Sequence, residues 1–335
     1  MTGFPRTLAQ VGAFFLLLAA TPWMLTNDYY LSVLIMCCIN GIIVVGLNML
    51  LGYAGQISLG HAAFYGLAAY ASAVATATYG LPMELGLVAA IVVTAVAALA
   101  IGIPALKLEG NYLGMATMGF GIIVYIFLNE TVELTGGPSG FVAIPRLALL
   151  GYEFTSDLSY YYLTAATLAG TVLLSMNIIQ SRLGRALRAL HTSEKAAQLS
   201  GVNIAKYKLF VFVLSAVYAS VAGFLYAHYL TFVAPSSFGF MFSVELITMV
   251  VLGGMANMWG AVAGAFFLTI LPQVLYVFEE IDILVFGGIL VVGMMFLPDG
   301  IAGGLQRFWR LVRRPRRAST PAPAASGADG KGGRP

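Results

Sequence analysis

Few side chains in this sequence are suited to chemistry, and those few are scattered through apolar stretches. Asn48, Gln56, Ser58, His61, Glu245 and Asn257 carry hydrogen-bonding or ionisable groups inside or beside segments otherwise made of Leu, Ile, Val, Ala, Met and Gly. An enzyme site needs a pair of acids, a metal triad, or a nucleophile with its base, and no such set lies within those segments. His61 and His228 lack metal-ligand spacing and read as hydrogen-bonding partners between helices. An acid at the centre of a membrane span costs roughly 2.5–3.5 kcal/mol, so Glu245 should face a cavity or a partner, or else lie near a hydrated interface. The chemistry that fits this set is the lining of a polar path, with Asn48, Gln56, Ser58 and Asn257 placed best for it. Gln56 and Ser58 fall in the run Leu51-Gly52-Tyr53-Ala54-Gly55-Gln56-Ile57-Ser58-Leu59-Gly60-His61, where glycines such as Gly55 suit a broken helix or re-entrant turn. Such backbone is tolerated at membrane depth where protein or water covers it. In transporters it aims half-helix ends at polar solute groups.

The elements that must position these residues follow from composition. The chain has 335 residues, 60% hydrophobic and 9% charged, with a mean hydropathy of +0.89. Soluble domains carry about 25% charged residues. A chain this poor in charge must turn its exterior to lipid, where helices or closed barrels satisfy the backbone. Barrel strands alternate apolar and polar residues, whereas Val88–Ala100 and Tyr160–Leu174 are continuously apolar. The expected fold is therefore an all-α, polytopic transmembrane bundle. Cys37 and Cys38 are adjacent in an apolar run and read as buried thiols acting as small apolar residues.

Candidate spans lie near 9–25, 29–51, 61–79, 83–103, 112–130, 160–180, 207–229, 260–279 and 283–298, with a shorter one at 242–256. Fourteen of the seventeen Lys and Arg fall in two blocks, Arg182 to Lys208 and Arg307 to Arg334. Clustered cations mark cytoplasmic segments, and a basic tail suits anionic lipid headgroups rather than nucleic acid. Arg6 places the N-terminus on the same side. An even number of crossings between these points requires 242–256 to cross, giving about ten crossings with both ends in the cytoplasm. Residues 1–306 then form the membrane domain and 307–335 a basic, then disordered, tail. The turns assigned outside are 26–28, 80–82, 131–159, 230–241 and 280–282.

Three further stretches stand out. Residues 181–208 hold an amphipathic helix, in which Arg185, Arg188 and Thr192 recur at helical spacing. Ser193 can cap a second short helix carrying Glu194, Ala196 and Ala197, Gly201 can end it, and Asn203 continues the turn. Such a loop either orients the protein by charge or offers a platform to another protein. Thr135-Gly136-Gly137-Pro138 has strong turn chemistry and begins a long external connection, either a plain loop or a docking or gating surface. The run Leu252-Gly253-Gly254-Met255-Ala256-Asn257-Met258-Trp259-Gly260 superposes loosely on the first glycine-rich run, as a trace of an internal repeat would.

The basic loop resembles the coupling loop of ATP-binding-cassette (ABC) importer permeases, marked by Glu-Ala-Ala, three residues and Gly. Here Glu194, Ala196, Ala197 and Gly201 match, with Lys195 as an extra residue. Together with Asn48–Phe64, Gly110–Gly121, Leu134–Gly140 and Val251–Met255, the chain from about 30 to 305 resembles the branched-chain amino acid permease family, most of all its M-type subunit. That resemblance implies a bacterial inner-membrane importer of branched-chain amino acids, or of a related small polar solute such as urea. It implies three kinds of partner: a homologous second permease, two ABC ATPase subunits that bind ATP-Mg, and a periplasmic substrate-binding protein; membrane lipid is the partner that composition and the basic tail imply. The chain itself has no Gly-x-x-x-x-Gly-Lys-Ser/Thr phosphate loop, so no cofactor and no catalytic residue is expected in it. Two other classes compete. An ion-driven secondary transporter needs coupling acids in mid-membrane, for which Glu245 alone qualifies. An intramembrane enzyme needs the catalytic set that the spans lack.

Overall fold

The computed structural model describes residues 4–23, 28–105, 111–149 and 151–275, together with 287, 288, 300 and 303. The expected span 283–298 (Gly287 and Gly288 apart), the turn at 280–282, residues 26 and 27 of the first turn, and the tail 307–335 lie outside the described residues.

Each continuously apolar stretch within the described residues is a helix, the form that satisfies the backbone without water. Helix α1 is Phe4–Ala20 and α2 is Asp28–Asn48, prolonged by a π-turn at Met49–Tyr53. Helix α3, His61–Ala73, runs into a second π-turn at Val74–Thr78. Helices α4, Met83–Ala105, and α5, Asn111–Glu130, follow. A connection holds the short α6, Val132–Thr135, and a two-stranded hairpin that pairs β1, Ala148–Leu149, with β2, Tyr152–Glu153. Helix α7, Asp157–Gln180, starts at Ser156, whose side chain accepts from Leu158 N. The basic loop forms α8, Arg182–Thr192, and α9, Glu194–Leu199. Helix α10 is Ile204–Leu230, α11 is Phe240–Gly253 and α12 is Met258–Leu275. Among the described residues, six helices are long and apolar enough to cross a bilayer, at 28–53, 83–105, 112–130, 157–180, 204–230 and 258–275. About ten crossings are expected from the sequence, so α1, α3 and α11 would be shorter elements of the same bundle.

Helix α2 is the axis of the molecule. It packs against α7, α10, α11 and α12 and is buried nearly throughout its second half. Cys37 and Cys38 are buried in it as free thiols. Helix α4 lies at the edge and shows how the sequence encodes its two faces. Gly86, Ala90, Thr94, Ala98 and Gly102 recur every four residues, which puts them on one side of a helix, and this is the buried side. Val88, Val92, Val96, Leu99 and Ile103 are exposed on the other, as lipid-facing residues would be. Without a hydrophobic drive between helices in lipid, close backbone approach through small residues supplies the packing. Gly102 abuts Leu209 and Phe212 of α10, Gly46 of α2 abuts Tyr218, and Gly223 of α10 meets the Tyr65 carbonyl of α3.

A side chain at 223 has no room to form. Overpacking of this kind costs about 1–3 kcal/mol, so Gly223→Leu is expected to lower the melting temperature of the detergent-purified protein and its yield from membranes. Ile123→Leu, on the exposed face of α5, should leave both at wild-type values in the same assay.

Candidate functional site

The first glycine-rich run is a broken helix. Helix α2 loosens into the π-turn, the chain is non-helical from Gly55 to Gly60, and α3 starts at His61. Gly55 takes φ +68°, which a residue without Cβ adopts freely. The second run is broken likewise: α11 ends at Gly253, Gly254 has φ +115°, and α12 starts at Met258. The structure brings the two breaks together. Asn48, fully buried, accepts a hydrogen bond at Oδ1 from Ala256 N (3.0 Å) and donates from Nδ2 to the Asn257 carbonyl (3.1 Å). Gly52 lies flat against Ala256, where a side chain would collide with backbone. Asn257 in turn caps α12, its Oδ1 accepting from Gly260 N at 3.1 Å.

The exposed polar groups of the first break are met from three other helices. Leu59 N donates to Thr117 Oγ1 of α5 (3.0 Å), and Ala62 N donates to Ser243 Oγ of α11 (3.0 Å). His61, with no exposed surface, is hydrogen-bonded through Nδ1 to Ser58 Oγ (3.0 Å) and through Nε2 to Ser215 Oγ of α10 (2.6 Å). Of the expected path residues, Asn48, Ser58, His61 and Asn257 thus hold the breaks with their polar atoms. Gln56 differs. Its backbone N donates to Leu50 O at 3.0 Å, but both atoms of its buried side-chain amide lack partners among the described residues. Glu245 is half-buried on α11, apart from the Asn48–Asn257 pair. A cleft of about 320 Å³ opens where the breaks meet, lined in part by Gln10, Tyr53, Gln180, Asn257 and Trp259.

The basic loop is tied into this bundle. Ser181 and Ser193 cap α8 and α9, accepting from Leu183 N (3.1 Å) and Ala196 N (3.3 Å). Gly201, with φ +81°, ends the second helix. Asn203 does more than continue the turn: its Oδ1 accepts from Lys206 N at 3.1 Å and caps α10. Helix α8 buries Gly184, Leu187 and Leu190 and exposes Arg185 and Arg188. On α9, Ala197 is buried, Ala196 is exposed and Glu194 forms a 2.6 Å ion pair with Lys208. Lys208 reads from sequence as one more cytoplasmic charge, but it is buried at the foot of α10.

The glycine-rich connection after α5 folds as a clasp. Thr135 Oγ1 lies 2.7 Å from the Leu128 carbonyl and accepts from Gly137 N. Gly136 and Gly137 have φ of +76° and +58°, and Pro138 is the exposed second residue of the 3-10 turn Gly137–Ser139. Phe141 pairs with Val233 as an isolated antiparallel bridge beyond α10. His228 donates from Nδ1 to the Pro145 carbonyl at 2.9 Å, so it ties this connection to α10, whereas a helix-to-helix bond is expected from sequence.

A membrane bundle with two broken helices in contact, and a capped, basic two-helix loop pinned beneath them, is the architecture of a solute permease. The comparisons with known proteins narrow the class. The family described as "Branched-chain amino acid transport system / permease component" matches residues 29–295. The branched-chain amino acid permease LivM of Salmonella typhimurium is 34% identical over 312 residues, covering 86% of this chain and 73% of that protein. LivM of Escherichia coli K12 is 33% identical over the same shares. The permease LivH of Escherichia coli K12 is 29% identical, covering 78% of this chain and 90% of its own. No solved structure matches the chain. The chain belongs to the branched-chain amino acid ABC transport permease family and is most like its LivM-type member among these three.

Removing the Asn48 amide leaves Ala256 N–H and the Asn257 carbonyl without their partner. An unsatisfied buried group costs about 1–3 kcal/mol, so Asn48→Leu is expected to loosen the second break. A cysteine placed at Ala256 should then react several-fold faster with a thiol reagent than it does in the Asn48 background, as read by mass spectrometry. Equal rates would show that Asn48 does not hold the breaks together.

Proposed function

We propose that this permease carries branched-chain amino acids across the bacterial inner membrane into the cell, driven by ATP-Mg hydrolysis on two partner ABC subunits. In this reading it stands beside a homologous second permease and receives solute from a periplasmic binding protein. The observation that carries the proposal is the loop α8–α9. It is a capped, rigid platform joined to a spanning helix by the Glu194–Lys208 ion pair, the construction needed to pass a rigid-body movement of an attached ATPase to the membrane helices.

The topology follows the same reading. Six apolar helices, α1 to α5 and α7, precede the loop. Helices α10, α11 and α12 follow it, and 283–298 would complete ten crossings, with both termini in the cytoplasm and the clasp at Thr135–Pro138 outside. Within the bundle, Asn48, Ser58, His61 and Asn257 position the broken helices. Among the described residues the side-chain amide of Gln56 has no partner and Glu245 is half-buried; these two would be the ones to meet solute or its water. A urea-like solute is the alternative cargo of the same machine.

The deciding experiment reconstitutes the chain with its partner subunits and cognate binding protein in vesicles and follows radiolabelled leucine and urea. Leucine uptake that starts on adding ATP-Mg is expected. Uptake that follows an imposed ion gradient without ATP would overturn the importer reading. In the same vesicles Glu245→Gln should slow leucine uptake severalfold with the complex intact; unchanged kinetics would place Glu245 outside the path.

A further inference from the structure

Helix α8 touches more than its own loop. Its residues Arg188 and His191 are one turn apart and so share a face. Helix α8 packs against the π-turn that ends at Tyr53. His191, itself exposed, lies against Gly55: a Cβ there would be 2.8 Å from His191 Nδ1. Helix α8 therefore meets the chain on both sides of Ala54, where α2 gives way to the break.

Both ends of this contact are anchored. The start of α8 is fixed by Gly184, pressed on the Ile179 backbone, and by buried Leu187 and Leu190. The α9 side is fixed to α10 through Glu194 and Lys208. The far end of the break is held by Thr117, Ser243 and Ser215. Between them sits Gln56, buried, with no partner for either side-chain amide atom among the described residues.

We infer that His191 is a positioning residue for transport: its imidazole, seated against Gly55, makes α8 bear directly on segment 54–60, so that a displacement of the basic loop moves the broken helix. The inference rests on the importer reading and adds a route within it. Force entering through Glu194 and Lys208 alone would move α10 as a rod. Force entering through His191 acts on the break itself, beside the contact between Asn48 and the second break. Gly55 is fitted to this role twice, by its positive φ and by the space it leaves.

The test uses the full reconstituted complex and reads leucine transported per ATP hydrolysed, normalised to complex recovered. His191→Ala is expected to lower this ratio about fivefold or more, the lower end of ordinary coupling energies, while ATP hydrolysis continues. His191→Gln, which keeps length and a polar tip, should restore most of the ratio. A merely structural role would lower recovery and leave the ratio untouched. A wild-type ratio in His191→Ala would overturn the inference. A second measurement pairs Gly55→Cys with His191→Cys: oxidation should abolish uptake and reduction restore it, and full uptake by the cross-linked complex would also overturn it. Failure of the wild-type complex to couple ATP to uptake is a different result and would sink the importer reading together with this role.

Discussion

The constraint on which this structure depends is the satisfaction of backbone polar groups where water is absent. An unbroken helix meets it alone; a broken one does not, and the described residues contain two such breaks. Three of the loosened N–H groups are answered by side chains from elsewhere in the bundle, and others, such as Gln56 N, by nearby backbone carbonyls. Ala256 N finds Asn48, Leu59 N finds Thr117, and Ala62 N finds Ser243. These bonds decide which helices must be neighbours, because each partner sits on a different helix. The arrangement of α5, α10 and α11 around the first break follows from this requirement as much as from apolar packing.

The same bonds explain how a bundle of smooth apolar helices comes to have a defined place where it can change. Small residues let α4, α10 and α2 approach closely, and such contacts resist separation but not sliding. The two breaks are different: they are short, joined by Asn48, and bounded by positive-φ glycines at 55 and 254. A segment with few backbone bonds of its own has low local stability compared with a continuous helix. Placing one turn of α8 against the first break brings the basic loop within one residue contact of it.

Much of this was legible in the sequence. Long apolar runs without alternation read as helices, and every expected span inside the described residues is one. Glycines among Gln, Ser and His signalled the breaks, and Ser193 and Gly201 signalled the limits of α9, because capping is a local property. What was not legible is pairing at a distance. Nothing local marks Thr117, Ser215 or Ser243 as partners of the break, since a lone hydroxyl in an apolar helix can point anywhere. Lys208 sits in a basic block and reads as a solvated charge; its burial depends on Glu194 arriving from α9. Asn48 and Asn257 read as path residues because polar atoms in a membrane are costly. The structure meets that cost by bonding Asn48 to the second break and Asn257 to the first turn of its own helix, α12.

That outcome bears on where solute selectivity would reside. A site that discriminates among small polar solutes needs unpaired donors and acceptors fixed in place, since rejection comes from leaving buried polar groups unmatched. Here the polar atoms of Asn48, Ser58 and His61 are already engaged in holding the helices. Gln56 has its amide free, and Glu245 is half-buried with no bond to an adjoining helix among the described residues. Thr94 Oγ1 and His228 Nε2 also lack partners among the described residues. Polar groups of this kind can favour a polar solute over an apolar one, but they do not tell leucine from valine, which differ by one methylene. On the importer reading the chain's polar inventory therefore suits a conduit with a movable break, and discrimination between similar side chains belongs to the partner that delivers the solute.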